Sequence, residues 1–372
     1  MQCYEANDPA HRSFRIGGMD FASASPRWNA SLRPVRLLVT GGAGFIGSNF
    51  VHYWLRHHPD DRVIVYDALT YAGNRANLSS VQDRIAFVHG DICDRELAER
   101  TLSSERVEVV VNFAAESHNS LAVLDPTRFF RTNVLGTQTL LDASRVTGVE
   151  RFHHVSTCEV YGDLPLDSDD VFTEESPYRP RTPYNASKAG ADHAVRAYYE
   201  TFELPVTITN CSNNYGPYQF PEKVIPLFTT NALDDEPLPL YASIEHKREW
   251  LHVHDHCRAI DLVLRKGLAG ETYNVGSGLE ASIADIADLV LKLTDKPASL
   301  KTIVPDRPGH DRRYLLDASK IRTELGWKPE HDWRVGLAET VEWYASHREW
   351  WEPLKERAPI EEAAWRSSTL KG

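Results

Sequence analysis

The stretch Thr40-Gly41-Gly42-Ala43-Gly44-Phe45-Ile46-Gly47 lies directly behind the apolar run 35–40 and ahead of Ser48-Asn49-Phe50-Val51-His52-Tyr53-Trp54-Leu55. Glycines at 41, 44 and 47 give the spacing G-x-x-G-x-x-G. Such glycines allow a tight turn, let the backbone approach a pyrophosphate, and let the next helix lie close on its sheet. A helix starting near Ser48 aims its first amides at the phosphates. Phe50, Val51, Trp54 and Leu55 recur at helical spacing. The next apolar run, 63–67, ends in Asp67, 20 residues after Gly47. An acid there accepts hydrogen bonds from a ribose 2′-hydroxyl and repels a 2′-phosphate, which predicts NAD rather than NADP. The expected dinucleotide contacts are therefore Gly41, Gly44, Phe45, Ile46, Gly47 and Asp67, joined by Asp91 and Ile92 beyond the third run.

Outward from this loop, short Val- and Ile-rich runs at 35–40, 63–67, 85–88, 107–113, 152–156 and 206–210 alternate with helix-length segments. Buried parallel strands joined by helices read this way. The predicted class is α/β: a Rossmann-type doubly wound parallel sheet with a smaller C-terminal substrate-binding portion. The expected division is a tail over 1–33, an NAD-binding Rossmann domain over 34–210, a mainly substrate-binding portion over 211–356, and a tail over 357–372. Within the third of these, a helix is expected around Ile283–Leu293. Residues 1–33 are small, polar and Arg-bearing, without the apolar centre of a secretory signal.

The chain has 372 residues, 42% hydrophobic and 25% charged, with 41 Lys+Arg against 53 Asp+Glu and a net charge of −12. No apolar run of about 18 residues occurs, so no membrane span is expected. The acidic balance speaks against a nucleic-acid partner, which needs a clustered basic field. Five scattered cysteines without a C-x-x-C pair predict free thiols and a cytoplasmic location.

Tyr184-Asn185-Ala186-Ser187-Lys188 sets a phenol and an ammonium at i and i+4, on one helix face. The ammonium is expected to lower a phenol pKa that is ordinarily about 10. Tyr184 can then take the proton of a sugar hydroxyl whose carbon gives up hydride, and Tyr184 and Lys188, both expected to be catalytic, also count among the expected cofactor contacts. Upstream, Ser156-Thr157-Cys158-Glu159-Val160-Tyr161-Gly162 follows an apolar run, at the sheet edge where α/β folds build their sites. Thr157 is expected to hydrogen-bond a substrate hydroxyl, and Glu159 to act as a base. On residue types alone, an exposed Tyr–Lys pair and a loop carboxylate remain the alternatives.

Taken together, these residues resemble the extended short-chain dehydrogenase/reductases, and within them the dTDP-glucose 4,6-dehydratases. The matching stretches fall between about residues 35 and 335: 40–47, 67–74 (DALTYAGN), 114–118 (AAESH), 156–163, 184–188, 210–223 (NCSNNYGPYQFPEK), 248–251 and 306–314 (DRPGHDRRY). The resemblance implies NAD as cofactor and a dTDP- or UDP-linked hexose as substrate. It implies a substrate pocket lined by Ser117, His118, Asn214, Lys223, Arg248, Asn274, Arg307 and His310. A homodimer joined through a four-helix interface is implied as well. So is a reaction in which C4 is oxidised with Tyr184 as base, Glu159 takes the C5 proton, the C6 hydroxyl leaves, and hydride returns to C6.

Two positions depart from that family's pattern. Cys158 stands where an Asp supplies the acid for water loss, and Asn119-Ser120-Leu121 replaces a segment containing Asp-Arg. A thiol with an ordinary pKa of about 8.5 keeps its proton at neutral pH, so Cys158 becomes the expected substitute acid and counts as catalytic. A thiol is also a weak hydrogen-bond donor, which opens other outcomes. These are a 5,6-dehydratase keeping an exocyclic alkene, a 4-epimerase or decarboxylase, and a silent NAD-binding homologue. No metal site is expected, since His252, His254 and His256 would share one strand face with Asp255 and Cys257 on the other. Cys211 and Cys257 are expected as small buried hydrophobes, and Trp250, Trp327 and Trp333 as packing residues.

Overall fold

Each of the six apolar runs becomes a strand of one sheet: β1 (Arg36–Thr40), β2 (Arg62–Asp67), β3 (Ile85–His89), β4 (Val109–Asn112), β5 (Arg151–Thr157) and β6 (Val206–Cys211). The shorter strands are β7 (Asn213–Tyr215), β8 (Leu238–Tyr241), β9 (Lys247–His252), β10 (Thr272–Val275), β11 (Glu280–Ser282) and β12 (Lys301–Val304). This computed structural model describes residues 34–355 and 357. The tail expected over 1–33, and all but residue 357 of the tail expected over 357–372, lie outside the described residues.

The main sheet has the order β3-β2-β1-β4-β5-β6-β10, and every neighbouring pair is parallel. Its order reverses between β1 and β4, where doubly wound sheets open a crevice at the carboxyl ends of their strands. Leu37, Leu38 and Val39 of β1 are almost wholly buried, because helices cover both faces. Each such side chain contributes about 1.5–3 kcal/mol.

Helices α1 (Phe45–His57), α2 (Arg95–Ser104), α3 (Asn119–Leu124), α4 (Pro126–Phe129), α5 (Thr137–Thr147) and α6 (Pro183–Phe202) fill the connections, with a π-helical stretch (Phe130–Gly136) between α4 and α5. Then come α7 (Val224–Leu233), α8 (Val253–Lys266), α9 (Ile283–Leu293), α10 (Ser319–Leu325), α11 (Trp333–Ser346) and α12 (Arg348–Lys355). On one face, Phe50, Val51, Trp54 and Leu55 of α1 pack with Cys257, Ile260 and Leu264 of α8. On the other, α2, α5 and α6 bring Leu102, Leu140, Leu141 and Val195.

After residue 210 the chain returns to this sheet. β10 adds beside β6 and α8 lies beside α1, so the sheet is not confined to residues 34–210. Thr272-Tyr273-Asn274-Val275 is short and half polar, which hid it as a strand. The rest of the C-terminal portion carries the small sheets β7-β9-β11 and β8-β12 around Ile225, Phe228, Trp250, Ile286, Val290 and Leu337. Its helix α9 has the expected bounds and starts in a capping box between Ser282 and Asp285. Trp250 and Trp327 are buried and Trp333 stacks on Trp250, as packing residues do. Cys211 and Cys257 are buried too.

The three alternating histidines do not share a strand face. β9 stops at His252, whose ring accepts the His254 N–H at 3.3 Å and so caps α8, while His256 turns inward to Asn214 at 2.9 Å. Among the described residues, no helix is long and apolar enough to cross a membrane.

Candidate active site

A cleft of about 390 Å³ follows the carboxyl ends of β1, β2, β4, β5 and β6. At its floor Gly41 has φ +64°, and a Cβ there would come within 2.7 Å of the Ala114 nitrogen. A Cβ on Gly47 would collide with the Gly41 carbonyl oxygen. The loop is thus a cradle that side chains would fill, and no side chain caps the first amides of α1 above it. Those amides suit a pyrophosphate. Asp67 accepts the N–H groups of Ala43 (2.9 Å) and Leu69 (2.8 Å). Burial raises its pKa, and these two bonds oppose the rise. Gly44, Phe45, Ile46, Asp91 and Ile92 line the same cleft. All the expected dinucleotide contacts therefore meet, and the residues fit such a cofactor.

Thr157, Glu159, Tyr184 and Lys188 stand on this wall as well. β5 ends at Thr157, whose hydroxyl accepts the Glu159 N–H at 3.3 Å and starts a single 3-10 turn. Thr182 caps α6 through the Asn185 N–H (3.2 Å), with Pro183 in the first turn, and so aims Tyr184 and Lys188 at the cleft. Burial first, then the charge of Glu159, pushes the Tyr184 phenol well above its ordinary range, while a hydrogen bond with Thr157 opposes this. The expected lowering by Lys188 is not what the site provides. That ammonium donates to the Val155 carbonyl (2.8 Å) and lies 3.2 Å from His154 Nε2, which is 3.4 Å from Asp192. Glu159 accepts from Asn119 Nδ2 at 3.4 Å. Burial, then Asp311, raises its carboxyl against the pull of Arg307, Arg248 and Asn119.

Cys158 is a correction. Its side chain is buried among Val160, Tyr161, Leu164, Phe172, Ala189, Tyr314 and Leu316, and it is not part of the cleft wall. Glu159 lines the cleft, while Cys158, one residue earlier in the 3-10 turn, is buried in the apolar cluster. Burial, then the charge of Glu159, raises the thiol well above its ordinary range. Asn274 is a second correction. It is wholly buried in β10, where Oδ1 accepts from Tyr161 Oη (2.8 Å) and Nδ2 donates to the Phe172 carbonyl (3.1 Å), so it lines neither cavity.

The cleft meets a second cavity of about 790 Å³, with Asn119, Asn213, Glu222 and Lys223 on both walls. Val224, Leu227, Phe228, Tyr241 and Trp250 give it an apolar side, and Lys223, Arg248 and Arg307 a cationic one. The Arg248 guanidinium is held by the carbonyls of Lys247 (2.8 Å), Asp311 (2.7 Å) and Arg312 (3.2 Å). Arg307 Nε is buried without a partner in the structure, a donor that an anion would satisfy. Lys223 Nζ donates to the Ser117 carbonyl at 2.9 Å. His118 and His310 line this cavity; burial chiefly, then nearby cations, lowers both to about 3. Ser117 and Asn214 sit on the dinucleotide side.

Sequence reasoning missed Tyr71, which donates to Glu222 at 3.0 Å, and His154, to which no role was assigned. Tyr71 falls within residues 67–74, and Asn119 opens the segment 119–121. What was missing was their partner, supplied by a distant element in each case.

The GDP-mannose 4,6 dehydratase family model matches residues 38–340. The chain belongs to this family. It is 48% identical over 327 residues to the dTDP-glucose 4,6-dehydratase of Streptomyces niveus, covering 86% of this chain and 96% of that one. The solved structure of DesIV, a dTDP-glucose 4,6-dehydratase of Streptomyces venezuelae with NAD bound, is 52% identical with a TM-score of 0.83, covering 86% of this chain and 100% of that one. A UDP-glucose 4-epimerase from Thermotoga maritima is 30% identical with a TM-score of 0.79, covering 84% of this chain and 99% of that one. The span matched to the GDP-mannose 4,6 dehydratase family takes in the first cavity and, apart from Lys355, the second, from the Gly41 loop to His310.

Proposed function

We propose that this chain is an NAD-dependent dTDP-glucose 4,6-dehydratase. The observation that carries the reading is the meeting of the two cavities. Thr157, Glu159 and Tyr184 stand on the dinucleotide cleft, which opens through Asn119 and Lys223 into a pocket with Arg248 and Arg307. Bidentate Arg and point-charge Lys are the usual partners of a diphosphate. The apolar wall of Val224, Leu227 and Phe228 suits a pyrimidine base.

When bound, NAD supplies the hydride acceptor for C4 and the hydride donor for C6. Tyr184, hydrogen-bonded with Thr157, would take the proton of the C4 hydroxyl once bound NAD, whose nicotinamide ring is cationic, offsets the burial that raises the phenol. His154 and the Val155 carbonyl hold Lys188 beneath it. A ketone at C4 acidifies the C5 proton, which Glu159 removes. With Cys158 off the wall, the protonated Glu159 is the proton source for the departing C6 hydroxyl, and burial favours that protonated form. One water leaves, and with the C4 hydride delivered to C6 the resulting enolate takes a proton at C5 from Glu159, recharged from solvent as Tyr184 releases the C4 hydroxyl proton; the cofactor would then be back in its starting state.

The thymidine-linked substrate is favoured because the relatives at 48% and 52% identity are named for dTDP-glucose. The epimerase stands further off at 30%, and the 5,6-dehydratase, decarboxylase and silent readings gain nothing from the comparisons. Exposed Phe130 and Leu135 on the π-helical stretch, Val146 on α5 and Phe202 on α6 support a homodimer built on these helices. The free thiols of Cys93, Cys158, Cys211 and Cys257 support a cytoplasmic location.

Incubation with dTDP-glucose carrying deuterium at C4 tests the reaction. The label is expected at C6 of the product. Label returned to C4, as a 4-epimerase or 5,6-dehydratase would leave it, overturns the reading.

A further inference from the structure

Away from both cavities, three imidazoles from two distant segments converge. His252 ends β9, His254 lies in the first turn of α8, and His331 precedes Asp332, the cap of α11. One possible ligand atom from each lies within 4.8 Å of the other two. The His252 and His331 rings stack at 3.9 Å between centroids, and His254 stands edge-on to His252 at 4.9 Å. We propose that His252, His254 and His331 bind a divalent transition-metal ion of the class that takes imidazole nitrogen, such as Zn²⁺. The proposal is independent of the dehydratase reading.

The strongest support is the carboxylate behind the third ligand. His331 Nδ1 lies 3.1 Å from Asp255 Oδ2, and Asp255 is itself fixed by the N–H groups of Glu330 (3.0 Å) and His331 (3.0 Å). An imidazole N–H donating to a carboxylate is the outer arrangement that orients metal-binding histidines, and it leaves the other ring nitrogen free to ligate. His254 is exposed, which gives an ion a way in and leaves room for water as a fourth ligand.

Closing the set requires the stacked His252 and His331 rings to turn until their in-plane lone pairs converge. Metal–nitrogen bonds of about 2.0–2.1 Å in a tetrahedron put nitrogens roughly 3.3 Å apart, against the present spread of up to 4.8 Å. His252 gives up its 3.3 Å bond to the His254 N–H in the process. Arg56 and His52 of α1 face His254 and oppose a cation, while Asp255 favours it. A bound ion would tie the β9–α8 junction to the start of α11. The same junction carries His256, which holds Asn214 on the cleft wall at 2.9 Å. Metal occupancy therefore stiffens a wall of the site without entering it.

Untagged protein, stripped with a chelator and then equilibrated with Zn²⁺ and washed, tests the site. Wild type is expected to retain a single equivalent, gain thermal stability, and with Co²⁺ show the visible bands of a tetrahedral nitrogen site. His254→Ala removes an exposed ligand and is expected to fold normally; His331→Gln provides a second, independent removal. Each is expected to weaken binding by more than the roughly 10–100-fold that outer-shell changes cost. No retention by wild type, or equal retention by both variants, overturns the proposal; the Co²⁺ spectrum decides it even where a variant is unstable.

Discussion

Tyr184 and Glu159 share one wall, and both are raised in pKa, first by burial, then by the charge of Glu159 on Tyr184 and of Asp311 on Glu159. A phenol removed from that wall leaves no base for the C4 hydroxyl. Tyr184→Phe is expected to lower turnover by roughly 10²–10⁴-fold while NAD stays bound, read by single-turnover kinetics and cofactor release on denaturation. Unchanged turnover would remove the role given to Tyr184. Cys158, buried in one cluster with Tyr314 and Phe172, is expected to act as a packing residue. Cys158→Ala should therefore keep turnover within about tenfold of wild type and cost about 1 kcal/mol of stability. A loss as deep as that of Glu159→Gln would restore the thiol as the acid. Tyr184, Lys188 and Glu159 were legible because their chemistry follows from residue type and spacing. The inward turn of Cys158 was not, because it depends on Phe172, Tyr314 and Leu316, which arrive from distant segments.

The glycine loop and the start of α1 act as one element. At Gly41 a side chain meets both a positive φ and the Ala114 backbone, so Gly41→Ala is expected to cost about 1–3 kcal/mol and to yield protein without bound NAD. Absorbance of the acid-released cofactor checks this; full occupancy in the variant would mean that the cradle does not hold the pyrophosphate. Strands β1 to β6 were legible because burial on both faces writes itself as Val and Ile. Two elements were not. β10 holds Asn274 through Tyr161 and the Phe172 carbonyl, partners about a hundred residues upstream. The β9–α8 junction looked like a continuing strand because a histidine cap on a helix leaves alternation intact for a few residues.

Across the whole molecule, Glu249 on β9 joins three segments by accepting the N–H groups of Gly278 (2.6 Å) and Leu316 (3.0 Å). Burial raises its carboxyl from 4.5 to about 7. A folded-state pKa above the unfolded one means that the contribution is fully present below pH 4.5 and is lost as pH rises through about 7. The difference amounts to about 3 kcal/mol. The Tm of wild type relative to Glu249→Gln is expected to fall between about pH 5 and about pH 8.5; a constant difference would contradict the burial argument. The expected dimer rests on exposed Phe130 and Leu135. Phe130→Glu with Leu135→Glu is expected to sediment as a monomer, and a wild-type chain that already does so would remove the interface. The most direct measurement of all is proton NMR of the purified protein with dTDP-glucose. A new methyl doublet beside a hydrated C4 ketone is the expected outcome. Exocyclic vinyl protons without a methyl, or an unaltered sugar, would overturn the 4,6-dehydratase.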